Sequence, residues 1–128
     1  MLRTGILNPH VLDLLARIRH TNTLVIADRG FPFWPEIETV DISLVDDVPT
    51  VPQVLAAIRP NFVFGPVWAA EEFKAHNGAD KLAALQALAG PGLRFEPHVE
   101  FKKRVPRAIG LIRTGDTTPY GNLILESA

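Results

Sequence analysis

Residues 19–32 read RHTNTLVIADRGFP, and Thr23 to Ala27 within them form a nearly unbroken apolar run. A strand with one wet face alternates polar and apolar side chains, whereas a continuous run suits a strand buried on both faces. Such a strand needs a layer of structure on each side. The run is bracketed by His20 and Asp28, two side chains that can carry protons, and Gly30 lets the backbone turn sharply beyond its end.

Outward from this run, helical and strand patterns alternate. Asn8-Pro9 reads as an N-cap with proline at the first helical position, and Val11, Leu12, Leu14, Leu15 and Ile18 recur at helical spacing to about residue 19. Residues 40–44 are a second candidate strand. Thr50 caps a helix that stops before Pro60. Residues 62–68 form a strand interrupted by Gly65-Pro66, and helices follow over 70–76 and 79–88. A short strand is expected at 93–96, a short helix at 99–104, and final strands at 108–113 and 122–125. Between the last two lies TGDTTPYGN, a loop rich in turn formers. The alternation predicts an α/β fold, a three-layer α/β/α arrangement around a mostly parallel or mixed sheet.

The 128 residues are expected to form one domain, 1–128, long enough to bury roughly two-thirds of its unfolded surface. Hydrophobic residues make up 47% and charged residues 21%, the balance of a globular chain. A formal charge of −1 argues against nucleic acid and anionic membranes as partners. Lys102-Lys103-Arg104 with Arg107 is the one dense basic cluster, and it reads as a solvated helix face. Without cysteine there is neither disulfide nor thiolate chemistry. No signal-peptide pattern or membrane-length apolar run is present, so a cytoplasmic protein is expected.

Several site classes drop out. Ser43 and Ser127 are the only serines, and neither lies in a nucleophile elbow. His10, His20, His76 and His98 make no HxH or HExxH spacing, so neither a dedicated metal site nor a cofactor is expected. Glycine patterns for nucleotides are missing. Polar groups at element ends remain. Asp28 ends a buried strand, where α/β sheets place ligands, although a cap or turn role is equally open. His20 follows a helix end and is equally suited to the helix dipole. Lys102 lies one turn after His98, so the two can share a face, while His98 alone reads as a surface histidine. Tyr120 and Asn122, two apart, point to one side if extended; they suit a hydroxyl-rich ligand or plain loop closure.

Together, HTNTLVIADRGFP, HVEFK and TPYGN, in this order, resemble the D-ribose pyranase and L-fucose mutarotase family, and LNPHVLDLLARIRH and VPQVLAAI fit as well. The resemblance covers essentially the whole chain. It implies a mutarotase activity on free sugars, with His20 as the catalytic acid and Asp28, His98, Lys102, Tyr120 and Asn122 as sugar contacts. It also implies a ring-shaped homo-oligomer, often a decamer of two stacked pentamers, with sites between subunits. The first two motifs look closer to the ribose branch and YGN closer to the fucose branch, so D-ribose ranks ahead of L-fucose or another aldose. Arg29 adds charge at the site's edge. Phe33 and Trp34 are candidates for stacking on a sugar face or for core packing.

The chemistry agrees. Interconverting anomers, or pyranose with furanose, opens a hemiacetal: one group protonates the ring oxygen while another takes the anomeric hydroxyl proton. Histidine, with an ordinary pKa of about 6.5, exchanges protons near neutrality. Thr23 to Asp28 is five strand steps, or roughly 17 Å, longer than a pentose. His20 and Asp28 of one chain reach one sugar only if residues 20–22 fold back. Otherwise one acts indirectly or a neighbouring subunit supplies it, and the resemblance favours the neighbour. Two rival classes are a non-catalytic sugar-binding accessory and a structural ring protein without a small ligand.

Overall fold

The structure is a computed structural model, and it describes residues 1–3 and 5–128. Helix α1 (Pro9–Arg17) starts as its sequence dictates: the Asn8 side chain accepts from the N–H groups of His10 and Val11, both at 3.0 Å. It ends at Arg17, two residues short of the expected end, because Ile18 is extended and buried. A tight turn follows: the Arg19 N–H donates to the Asn22 side chain, and the Asn22 N–H returns a bond to the Arg19 carbonyl, both at 2.9 Å. Thr21 takes φ +65° inside this turn, which carries His20 into solvent and starts β1 (Thr23–Ala27).

The remaining elements are β2 (Glu38–Asp41), α2 (Val51–Ile58), β3 (Phe64–Ala70), α3 (Glu72–His76), α4 (Ala79–Ala89), β4 (Leu93–Glu96), α5 (His98–Arg104), β5 (Gly110–Arg113) and β6 (Leu123–Ser127). Thr50 and Gln53 close a capping box on α2. Strand β2 stops before residues 42–44, since the Asp41 carboxylate accepts from both the N–H and the hydroxyl of Ser43 and bends the chain away. In β3 the register shifts between Phe64 and Val67, and that irregularity accommodates Gly65-Pro66.

The six strands form one sheet in the order β2-β5-β1-β6-β3-β4. β6 runs antiparallel to both its neighbours, and the other three pairings are parallel, so the sheet is mixed. Leu24 and Ile26 of β1 join a core under α1, α2 and α4, while Val25 and Ala27 face a second core with Phe101 and Val105 beneath α5. Both faces of β1 are therefore covered, which accounts for its unbroken apolar run. The fold is the expected three-layer α/β/α. Its polarity also matters. β1, β3, β4 and β5 share a direction, so Asp28, α3, α5 and the segment after Arg113 all emerge at one edge of the sheet. β6 begins at that same edge because it runs the other way. His20 lies at the opposite edge.

Candidate functional site

A cleft of about 290 Å³ opens at this carboxyl edge, lined by Asp28, Gly30, Phe31, Pro32, His98, Lys102, Tyr120 and Asn122. Three distant segments thus bring together all five expected sugar contacts. The Asp28 N–H donates to the buried Asn122 side chain at 2.7 Å, so Asn122 locks the end of β1 to the start of β6. One Asp28 carboxylate oxygen accepts from the Gly30 N–H at 2.9 Å. The turn role and the cleft position of Asp28 therefore coexist. Burial raises the Asp28 pKa above its ordinary value, against the pull of the Gly30 N–H and Asn122. Arg113 braces the loop after β1, its guanidinium donating to the carbonyls of Asp28 and Arg29 at 3.3 Å and of Pro32 at 3.2 Å.

His98 opens α5 and is not a surface histidine. Its ring stacks on Phe101 at 5.9 Å and meets Tyr120 edge-on at 5.1 Å. Its backbone N–H donates to the Glu72 carboxylate at 2.8 Å. Burial, then the nearby Lys102 charge, lowers the His98 pKa, so its neutral imidazole is favoured. Nδ1 is buried with no partner among the described residues, which leaves Nε2 as the nitrogen able to reach a ligand. Lys102 follows one turn later on the same cleft wall.

Tyr120 and Asn122 share the cleft for a reason other than an extended backbone. Thr118-Pro119-Tyr120-Gly121 is a turn closed by the Gly121 N–H on the Thr118 carbonyl at 3.2 Å. Tyr120 has φ +55° at a position normally given to glycine or asparagine. A residue held there costs about 1–3 kcal/mol, and such strain clusters at functional sites.

The structure closes the in-chain alternative for His20 and narrows the readings of its neighbours. His20 is exposed at the far edge of the sheet, outside the cleft, and the turn after Arg19 does not fold back along β1. Nor does it complement the α1 dipole, since α1 ends three residues earlier. Phe33 is 71% exposed, and half-buried Trp34 packs near Phe31 at 6.2 Å; neither lines the cleft. The aromatic wall there is Phe31, whose buried ring lies 6.2 Å from His98. Arg29 lies beside the cleft, in a hollow it shares with Asp28 and Gly30, and pairs with Asp46 at 2.5 Å. Glu72, His76 and Arg113 carry no motif, and their part emerges only from strand order. Among the described residues no three His, Cys, Asp or Glu side chains converge as a metal ion would require, and no helix is long and apolar enough to cross a membrane.

Fold and cleft define an α/β protein with a small polar pocket, walled by an aromatic ring, at the carboxyl edge of its sheet. Such pockets suit small hydroxylated ligands. The chain belongs to the RbsD / FucU transport protein family, whose sequence model matches residues 1–128. It is 43% identical over 129 residues to the D-ribose pyranase of Chromobacterium violaceum, covering 99% of this chain and 97% of that protein. It is 40% identical over 128 residues to the D-ribose pyranase of Geobacillus kaustophilus, covering 99% and 93%. The structure of Bacillus subtilis RbsD complexed with D-ribose superimposes with a TM-score of 0.92 at 35% identity, covering 100% of this chain and 98% of that one. The fucose mutarotase of Streptococcus pneumoniae in complex with L-fucose shares the fold, with a TM-score of 0.79 at 16% identity over 94% of this chain and 92% of that one.

Proposed function

We propose that this chain is a sugar mutarotase of the ribose pyranase kind, opening and reclosing the ring of a free monosaccharide, D-ribose first, by general acid–base catalysis. The observation that carries this reading is the cleft itself, which gathers Asp28, His98, Lys102, Tyr120 and Asn122 in a chain superimposable on a ribose-bound relative. Asp28 accepts from sugar hydroxyls as a carboxylate. Neutral His98 offers Nε2, and Lys102 and Tyr120 donate. Phe31 covers an apolar patch of the ring. The proton for the ring oxygen comes from His20, and the proton leaving the anomeric hydroxyl goes to the Asp28 carboxylate. Positioned acid–base groups contribute about 10²–10⁴-fold, enough for a reaction that already proceeds unaided.

His20 lies outside its own chain's cleft, so a neighbouring subunit supplies it in this reading. The proposed assembly is a ring-shaped homo-oligomer, a decamer of two pentamers, each subunit a single domain over 1–128. Exposed apolar side chains, Phe33 at 71% and Leu44 at 78%, offer contact surface for such packing. A cytoplasmic location belongs to the same proposal and is checked by fractionation.

NMR saturation transfer between anomeric protons, across a panel of aldoses, tests activity and substrate together. Faster exchange is expected with D-ribose. Enhancement with L-fucose and not with ribose would reverse the substrate, and binding without any enhancement would leave a sugar-binding accessory.

A further inference from the structure

We propose that His76 is a positioning residue for Tyr120, holding its ring in the cleft. This inference rests on the reading of that cleft as the sugar site. His76 ends α3, and its ring lies 4.8 Å from Tyr120 at a 48° tilt, while the His98 ring meets Tyr120 at 5.1 Å. Tyr120 therefore contacts two imidazoles. The His76 ring is itself held, with Nδ1 2.9 Å from the Glu72 carbonyl. A carbonyl only accepts, so Nδ1 carries the proton and the ring orientation is set. Glu72 thus holds the His76 ring through its carbonyl and the backbone of His98 through its carboxylate. The next residue completes the clamp: the Asn77 amide donates to the carbonyls of Phe73 and Pro119, both at 3.0 Å, tying the end of α3 to the Tyr120 turn.

A tyrosine at φ +55° stays there only when its surroundings over-determine it. The clamp from α3 is what over-determines it. An aromatic contact of this kind corresponds to about a three- to tenfold effect on an equilibrium. Because His76 is exposed, removing its ring takes nothing from either core.

Tyr120 is the only tyrosine, so a fluorotyrosine label reports on it alone. In His76→Ala the fluorine resonance is expected to move toward that of a free tyrosine. KM for the sugar should rise about three- to tenfold, with kcat within about twofold. His76→Phe should restore most of both, because it returns the ring contact without the imidazole's proton chemistry or its bond to the Glu72 carbonyl. An unmoved resonance in His76→Ala would overturn the proposal. So would an unchanged KM, a kcat loss that Phe does not rescue, or a fall in thermal stability that accounts for the whole effect. If the wild-type protein fails to speed anomer exchange, the sugar-site reading falls, and the resonance still decides whether His76 positions Tyr120.

Discussion

Asp28 and Asn122 show how single residues do two jobs here. Burial raises the Asp28 pKa, so the folded protein binds that proton more tightly than the unfolded chain. Below about pH 3.9 both states hold the proton. As pH rises from there through the folded pKa, stability falls, and above it the penalty is constant. His98 has the opposite sign. Its pKa is lowered, so its contribution is complete above about 6.5 and is lost as pH falls from there through the lower folded value. Asp28→Asn is therefore expected to raise Tm relative to wild type at pH 7, with the gain shrinking toward pH 4; a pH-independent difference in paired melting scans would refute this. For activity, an ionised Asp28 means that exchange should decline on the acid side at a higher pH than a free carboxylate titrates. Asn122→Ala strands the Asp28 N–H and should cost about 1–3 kcal/mol in urea unfolding, besides weakening sugar binding.

At the scale of elements, connections set the cleft more than strands do. The segment after β5 passes close to the loop after β2. A Cβ on Gly115 would stand 2.3 Å from the Val45 carbonyl oxygen and 3.1 Å from that of Val48. The Asp47 N–H donates to the Gly115 carbonyl at 2.7 Å, and the Asp47 carboxylate accepts from the Thr117 N–H and hydroxyl. These contacts seat the start of the Asp116–Asn122 loop, where the buried Asp116 carboxylate accepts from the Val51 and Thr118 N–H groups at 2.8 Å. Gly115→Ala should therefore push two backbones apart, destabilise by about 1–3 kcal/mol and raise KM through the displaced Tyr120 turn. Denaturant midpoints and steady-state sugar kinetics check both effects. Most expected elements stand within a few residues of their observed bounds. Their ends moved where a side chain intercepted the backbone, as Asp41 does at Ser43.

For the whole molecule, the decisive fact is that His20 and the cleft lie at opposite edges of one sheet. A functional site using both must be shared between copies, and in a cyclic assembly each interface pairs different patches of its two subunits. His20→Ala should abolish accelerated exchange while leaving Tm and oligomer size unchanged, since the residue is exposed. Mixed with an inactive Tyr120→Phe variant under conditions of random subunit exchange, it should recover roughly a quarter of wild-type activity. About one interface in four then joins an intact His20 to an intact Tyr120. Mass spectrometry verifies the exchange, and a mixture that exchanges yet stays inactive would place both groups in one chain's site.

The sequence by itself determined the layered α/β class, because a run such as Leu24 to Ala27 is stable only with cores on both faces, and it marked Asn8 and Thr50 as helix starts through local caps. It also singled out Asp28, His98, Lys102, Tyr120 and Asn122, side chains whose chemistry suits hydroxyl ligands. Tertiary structure decided what local pattern cannot encode. Strand order and the reversed direction of β6 brought those five residues to one edge and left His20 at the other. The same packing made Phe31 the cleft wall in place of Phe33 or Trp34, and set His76 against Tyr120. Such neighbours are made by strand pairings between residues nearly a hundred positions apart, and no window along the chain spans them.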